Sequence, residues 1–170
     1  MHAEYLIVDD EEVACDRTEG AAPPLLLVHG AGMARGVFER MLQRESLGRA
    51  VIAPDLPRHG DSSGVRLRSI EAMAAWTLRF ADAAGLERFA VGGHSMGALV
   101  ALEIAATAPE RIESLVMLGV AATMPVHPKL MHAAQEDLVE AAEMMAKWGV
   151  AVEGPQGFVA AMVGGSEPGV

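Results

Sequence analysis

The sequence predicts an α/β protein, a mostly parallel, doubly wound sheet with helices on both faces. Three observations carry this. Apolar runs recur at residues 25–28, 50–53, 89–92 and 112–118, the pattern of strands buried on both faces. Stretches with helical spacing or helix-forming composition lie between them. A serine bracketed by glycines, Gly93-His94-Ser95-Met96-Gly97, stands between the third of these strands and the helix after it.

Each element has its own reason. Residues 5–8 and 13–15 read as short strands, with Asp9-Asp10-Glu11-Glu12 as the turn between them, an antiparallel edge for the same sheet. Residues 20–24 read as a loop, because Ala-Ala-Pro-Pro lacks the N–H groups a ladder needs. Leu25-Leu26-Leu27-Val28 is apolar at every position and ends at His29-Gly30-Ala31-Gly32. A helix follows over 34–45, with Val37, Phe38, Met41 and Leu42 on one face, and the strand 50–53 stops at Pro54.

Ser69 is placed to cap a helix running to about residue 84, with Ile70, Met73, Ala74, Thr77, Leu78 and Ala81 as its apolar stripe. Gly85 ends it. Residues 96–108 form the helix after the serine and Pro109 stops it. From Gly119 the rhythm changes. Residues 123–128 read as an extended loop and 129–148 as one or two Ala- and Met-rich helices. Six glycines and two prolines among the last 22 residues make an irregular tail. The division is a core over 1–122 and a second region over 123–170.

Composition narrows function. Thirteen basic against 23 acidic side chains give a net charge of −10, which disfavours nucleic acid and anionic membranes as partners. A single cysteine, Cys15, rules out an internal disulfide and reads as a small apolar side chain. Neither a secretory leader pattern nor an apolar span of membrane length is evident. The expectation is a soluble, cytoplasmic protein whose oligomeric state is open.

The chemistry sits at residues 93–97. A sharp strand-to-helix turn strains the serine backbone, and the flanking glycines let strand and helix approach. The hydroxyl is then held above the carboxyl ends of the strands, at a helix N-terminus that favours developing negative charge. Met96 N–H is a free first-turn donor.

Three segments now occur in order: an apolar strand ending in His29-Gly30, a strand ending in Asp55-Leu56-Pro57-Arg58-His59-Gly60-Asp61-Ser62, and the Gly93-His94-Ser95-Met96-Gly97 turn. Over residues 5–118 the chain resembles the α/β-hydrolase fold family, in its group of esterases, C–C bond hydrolases, haloperoxidase-like enzymes and dehalogenases. The resemblance implies a three-layer α/β/α sandwich, here its N-terminal part plus the start of a helical cap. It implies Ser95 as nucleophile, with the N–H groups of Ala31 and Met96 as oxyanion hole. Dehalogenases carry Asp at the nucleophile position, so Ser95 argues against halide displacement. Relatives often have glycine where this chain has Ala98.

In such enzymes an acid and then a histidine base follow the nucleophile in the chain. No strand pattern returns after residue 118, so both are expected to be absent and the chain to be truncated inside the cap. Asp137, Glu136 and Glu140 read as solvated charge. Met33 is a candidate to touch substrate, His127 and His132 are candidates to line its pocket, and Trp148 is a candidate for the cap wall. His29 and His59 read as ordering their turns, and His94 as packing beneath the serine. Gly30, Gly32, Gly60, Gly93 and Gly97 are structural. The histidines lack metal-ligand spacing and residues 29–34 lack a phosphate-loop pattern, so no metal or other cofactor is expected. The function implied is hydrolysis of small apolar carboxylic esters through an acyl-enzyme. C–C bond hydrolysis on the same serine, and a non-catalytic binding protein or inactive fragment, stand as alternatives.

Overall fold

The computed structural model describes residues 2–43, 48–123 and 125–149. A six-stranded sheet organises them, with strands β1 (His2–Val8), β2 (Glu11–Arg17), β3 (Ala21–Val28), β4 (Arg49–Pro54), β5 (Phe89–His94) and β6 (Ile112–Leu118) in the spatial order β1-β2-β4-β3-β5-β6. β1 and β2 are antiparallel to each other, β2 is antiparallel to β4, and β4, β3, β5 and β6 are mutually parallel. This is the mixed, mostly parallel sheet that the apolar runs predict.

The hairpin turn is tighter than the acidic run suggests. Only Asp9 and Asp10 turn, both at positive φ (55° and 64°), a region that short polar side chains tolerate. Glu11 and Glu12 belong to β2.

Residues 21–24 are not a loop, as their prolines predict, but the start of β3. The register on β4 jumps from Ala21↔Arg49 to Leu25↔Val51, and pairing with β5 begins only at Leu25↔Ala90. The prolines occupy that irregularity, where no ladder N–H is required.

Helices cover both faces because the crossovers run in opposite directions. The connection from β3 to β4 moves one way along the sheet, and those from β4 to β5 and from β5 to β6 move the other. Right-handed crossovers then place their helices on opposite sides. A 3-10 turn (Arg35–Phe38) and the short helix α1 (Glu39–Leu42) carry the first connection. Helices α2 (Ile70–Ala83) and α3 (Met96–Thr107) carry the other two. Leu25, Leu27, Val51, Ala53 and Ala90 pack with Phe38 and Leu42 on one face. Leu26, Val28, Ile52 and Val91 pack with Trp76, Phe80, Val100 and Ile104 on the other. The alternation along β3, β4 and β5 shows why residues 25–28, 51–53 and 90–91 hold no polar side chain. β6, whose apolar run predicts burial on both faces, is instead half-buried to exposed throughout, because it lies at the end of the strand order and carries Glu113 and Ser114.

Over the described residues 34–43, the single helix expected over 34–45 does not form. Gly36 in the first turn weakens a helix start, Ala34 makes no side-chain cap, and Val37 faces solvent. Helix α2 starts as its sequence predicts, with Ser69 Oγ accepting from Ala72 N–H at 3.1 Å. Beyond β6, helices α4 (Pro128–Glu136) and α5 (Leu138–Gly149) pack against each other with Ala133, Ala141 and Ala142 buried. Asp137 is more than a solvated charge, because its Oδ1 accepts from the N–H groups of Val139 and Glu140 at 2.9 and 3.2 Å and caps α5. The expected irregular tail lies outside the described residues beyond Gly149.

Candidate active site

The strand order reverses direction between β3 and β5. Such a switch point opens a crevice beyond the carboxyl ends of the two strands. Val28 pairs with Gly93 in register, so the chain leaving β3 at His29 lies beside the chain leaving β5 at His94. Sheet topology alone therefore brings the 29–33 turn next to Ser95.

Ser95 sits at φ 54°, ψ −118°, outside the favoured regions for a residue with a Cβ. Its N–H donates to Leu118 O at 2.8 Å, and its own carbonyl accepts from Ala98 N–H at 2.9 Å. The two glycines are sterically required. A Cβ on Gly93 would lie 2.1 Å from Gly97 C, and one on Gly97 would lie 2.0 Å from Val28 O. The first contact joins β5 to α3, the second joins α3 to β3. Met96 is the first helical residue, so its N–H has no intrahelical acceptor.

Ala31 and Gly32 form the exposed tip of a turn closed by Met33 N–H to Gly30 O at 3.2 Å. His29, wholly buried, fixes the turn's base. Its Nδ1 meets Gly30 O at 2.9 Å and its Nε2 accepts from Leu56 N–H at 3.0 Å. That pairing makes Nδ1 the protonated nitrogen and leaves the ring neutral. Burial pushes its pKa down to about 3. His59 lies 5.0 Å from it, centroid to centroid, with its Nδ1 3.1 Å from Pro57 O. Burial lowers its pKa too.

The His94 ring lies between Gly30 and Gly119. A Cβ on Gly30 would come within 3.3 Å of its Nδ1, and one on Gly119 within 3.1 Å of its Nε2. Its buried Nδ1 has no hydrogen-bond partner among the described residues. Burial lowers this pKa as well. Met33 is half-buried, with its Sδ 3.2 Å from where that same Gly30 Cβ would stand. His127 is exposed and is engaged elsewhere. Its Nδ1 accepts from Lys129 N–H at 3.2 Å at the start of α4, and its ring meets Trp148 edge-on at 5.1 Å.

A buried polar cluster beside the site has no periodic signature in sequence. Asp55, fully buried at the end of β4, accepts from Arg35 N–H at 2.6 Å, from the Arg35 guanidinium, and from Asp61 N–H at 2.9 Å. Gly60 at φ 51° wraps this carboxylate so closely that a Cβ there would stand 2.0 Å from Asp55 Oδ2. Ser62 Oγ donates to Asp55 O at 2.9 Å and accepts from Ala14 N–H at 3.0 Å, tying the loop to β2. The Asp55-to-Ser62 run was the available signal. Among the described residues no group of three or more His, Cys, Asp or Glu side chains is placed to hold a metal ion. None of the described helices is long and apolar enough to cross a membrane.

The profile of the alpha/beta hydrolase fold family matches residues 23–155. The chain belongs to the alpha/beta hydrolase fold family. A putative non-heme haloperoxidase of Mycobacterium phage D29 is 33% identical over 131 residues, covering 76% of this chain and 47% of that protein. Pimeloyl-[acyl-carrier protein] methyl ester esterase of Nitrosomonas europaea is 36% identical over 102 residues, covering 60% of this chain and 39% of that one. The crystal structure of carboxylesterase CesB from Bacillus subtilis superposes with a TM-score of 0.81 at 23% identity, covering 96% of this chain and 60% of that one. At that identity the likeness is one of fold. This alpha/beta hydrolase chain spans half or less of the length of the curated relatives it matches.

Proposed function

We propose that Ser95 is the nucleophile of a serine hydrolase acting on small, largely apolar carboxylic esters. The observation that carries this reading is the strained serine itself. A residue with a Cβ is held at φ 54° between two glycines that admit no side chain, and such strain persists where function uses it. In the proposed reaction the Ser95 oxygen attacks the ester carbonyl, the N–H groups of Met96 and Ala31 receive the oxyanion, and the alcohol leaves to give an acyl-enzyme. Water then releases the acid. Met33, beside the turn, and His127, on the α4 side, are the proposed substrate contacts. Residues 123–170 are the proposed start of a cap that walls an apolar pocket. The acid and base of the triad are assigned to the part of the relatives' length that this chain does not span.

Hydrolysis of p-nitrophenyl acetate tests this. The protein at full family length is expected to turn over, and Ser95→Ala to remove the activity while the far-UV spectrum is unchanged. The 170-residue chain is expected to be slower by orders of magnitude, since oxyanion and binding contributions alone leave roughly 10³–10⁴ over water. Unchanged turnover in Ser95→Ala would overturn the reading.

A further inference from the structure

Arg35 is bonded to three carboxylates, one on β2 and two in the loop that follows β4. Its Nε donates to Asp16 Oδ1 at 3.3 Å, its Nη1 to Asp55 Oδ2, and its Nη2 to Asp61 Oδ2 at 2.8 Å. Its backbone N–H also donates to Asp55, at 2.6 Å. Asp16 lies on β2, Asp55 follows β4, and Asp61 is in the loop beyond. Burial works against the guanidinium charge, but the carboxylates of Asp61, Asp55 and Asp16 outweigh it and push its pKa above the ordinary arginine value. An exposed ion pair contributes little to stability. Here Asp55 is completely buried and the Arg35 side chain is only 16% exposed, so the pair is fixed in place.

The position of Arg35 gives this cluster a consequence. The 30–33 turn is bounded by His29 on one side and, two residues past its end, by Arg35 on the other. His29 is held by Leu56 N–H and Arg35 by the Asp55 carboxylate. Both feet of the turn therefore hang from two consecutive residues of one loop. Within the turn the closing backbone bond is 3.2 Å long, and Ala31 and Gly32 are exposed.

We propose that Arg35 is a positioning residue, whose grip on Asp16, Asp55 and Asp61 fixes the second foot of the turn that presents the Ala31 N–H. The proposal rests on the reading of Ala31 as an oxyanion donor. It assigns Arg35 no contact with substrate. A misplaced donor weakens stabilisation of the transition state and leaves ground-state binding alone.

The test is hydrogen–deuterium exchange with peptide-level mass spectrometry on the full chain, alongside ester hydrolysis. The variants are Arg35→Met, Arg35→Lys and the double variant Arg35→Met/Asp55→Asn. The double variant removes both buried charges and keeps an oxygen acceptor for the residue-35 N–H, so it decides the matter if Arg35→Met alone fails to fold. Exchange over 29–36 is expected to quicken about tenfold in the Met variants while 89–92 is unchanged, and Arg35→Lys should recover part of the protection. In hydrolysis kcat should fall with KM unchanged. Exchange over 29–36 that is unaltered, or that rises in step with 89–92, would overturn the proposal. Absence of any Ser95-dependent hydrolysis in the parent protein would instead remove the functional reading, and the exchange result would still decide whether Arg35 holds the turn.

Discussion

The backbone N–H of Ser95 donates to the carbonyl of Leu118 at 2.8 Å. This bond ties the candidate nucleophile to the last residue of β6, which is an edge strand among the described residues and whose Val116, Met117 and Leu118 are each at least 40% exposed. The strained turn is thus braced from a strand that is itself covered on one side only. Gly119, the next residue, has φ 62° and leaves room for His94. Gly119→Val should strain the backbone and push on the His94 ring, lowering stability by about 1–3 kcal/mol. Chemical denaturation of the variant measures it, with loss of midpoint the expected result.

The same edge predicts self-association. Unpaired strand edges with apolar side chains recruit other strands. Light scattering of the 170-residue chain should show association that grows with concentration, and Met117→Lys should suppress it. A monodisperse monomer across the micromolar range would contradict this.

The two glycines of the elbow should be intolerant of the smallest substitution. An added methyl would collide with backbone at Gly93 and at Gly97, at 2.1 and 2.0 Å, and backbone cannot swing aside as a side-chain tip can. Gly97→Ala should cost 3 kcal/mol or more, beyond the roughly 1–3 typical of overpacking. A midpoint within the error of the parent would show that α3 can shift away from β3.

His29 sets a pH dependence. Its ordinary value of 6.5 falls to about 3 in the fold because burial disfavours the charged ring. As pH drops below 6.5 the unfolded chain takes up this proton and the folded one does not, so stability is lost progressively toward pH 3. The slope from one such group approaches about 1.4 kcal/mol per pH unit. His59 and His94, also lowered by burial, act in the same direction. In His29→Gln the midpoint should fall less steeply between pH 6 and 4. An identical slope would show that His29 is not the group that titrates.

Strands β3, β4 and β5 were legible because their central residues are buried on both faces, which leaves Leu25-Leu26-Leu27-Val28 with no polar position to obscure the pattern. The same reading of 112–118 did not hold, since β6 is half-buried to exposed along its whole length. The elbow was legible for a related reason. Two close backbone approaches demand glycine at fixed offsets, and Gly93 and Gly97 write that demand into the sequence. The start of β3 was not, since Pro23 and Pro24 forbid a regular ladder and only the register jump on β4 shows how the strand absorbs them. Nor was the Arg35 cluster. Asp16, Arg35, Asp55 and Asp61 are scattered over three segments, and no local spacing betrays charges that meet only after the sheet assembles. His127 shows the limit for side chains: nothing in its spacing announces that its Nδ1 caps α4 or that its ring meets Trp148.

The most direct test of the account is where a covalent inhibitor attaches. After reaction of the protein with an aryl phosphonate ester, intact and peptide mass spectrometry should find one phosphonyl group per chain, on the peptide that holds Ser95, and none in Ser95→Ala. Loss of ester hydrolysis should track the extent of labelling. Inactivation with the label on any other residue, or full labelling of Ser95→Ala, would contradict the assignment of Ser95 as the nucleophile.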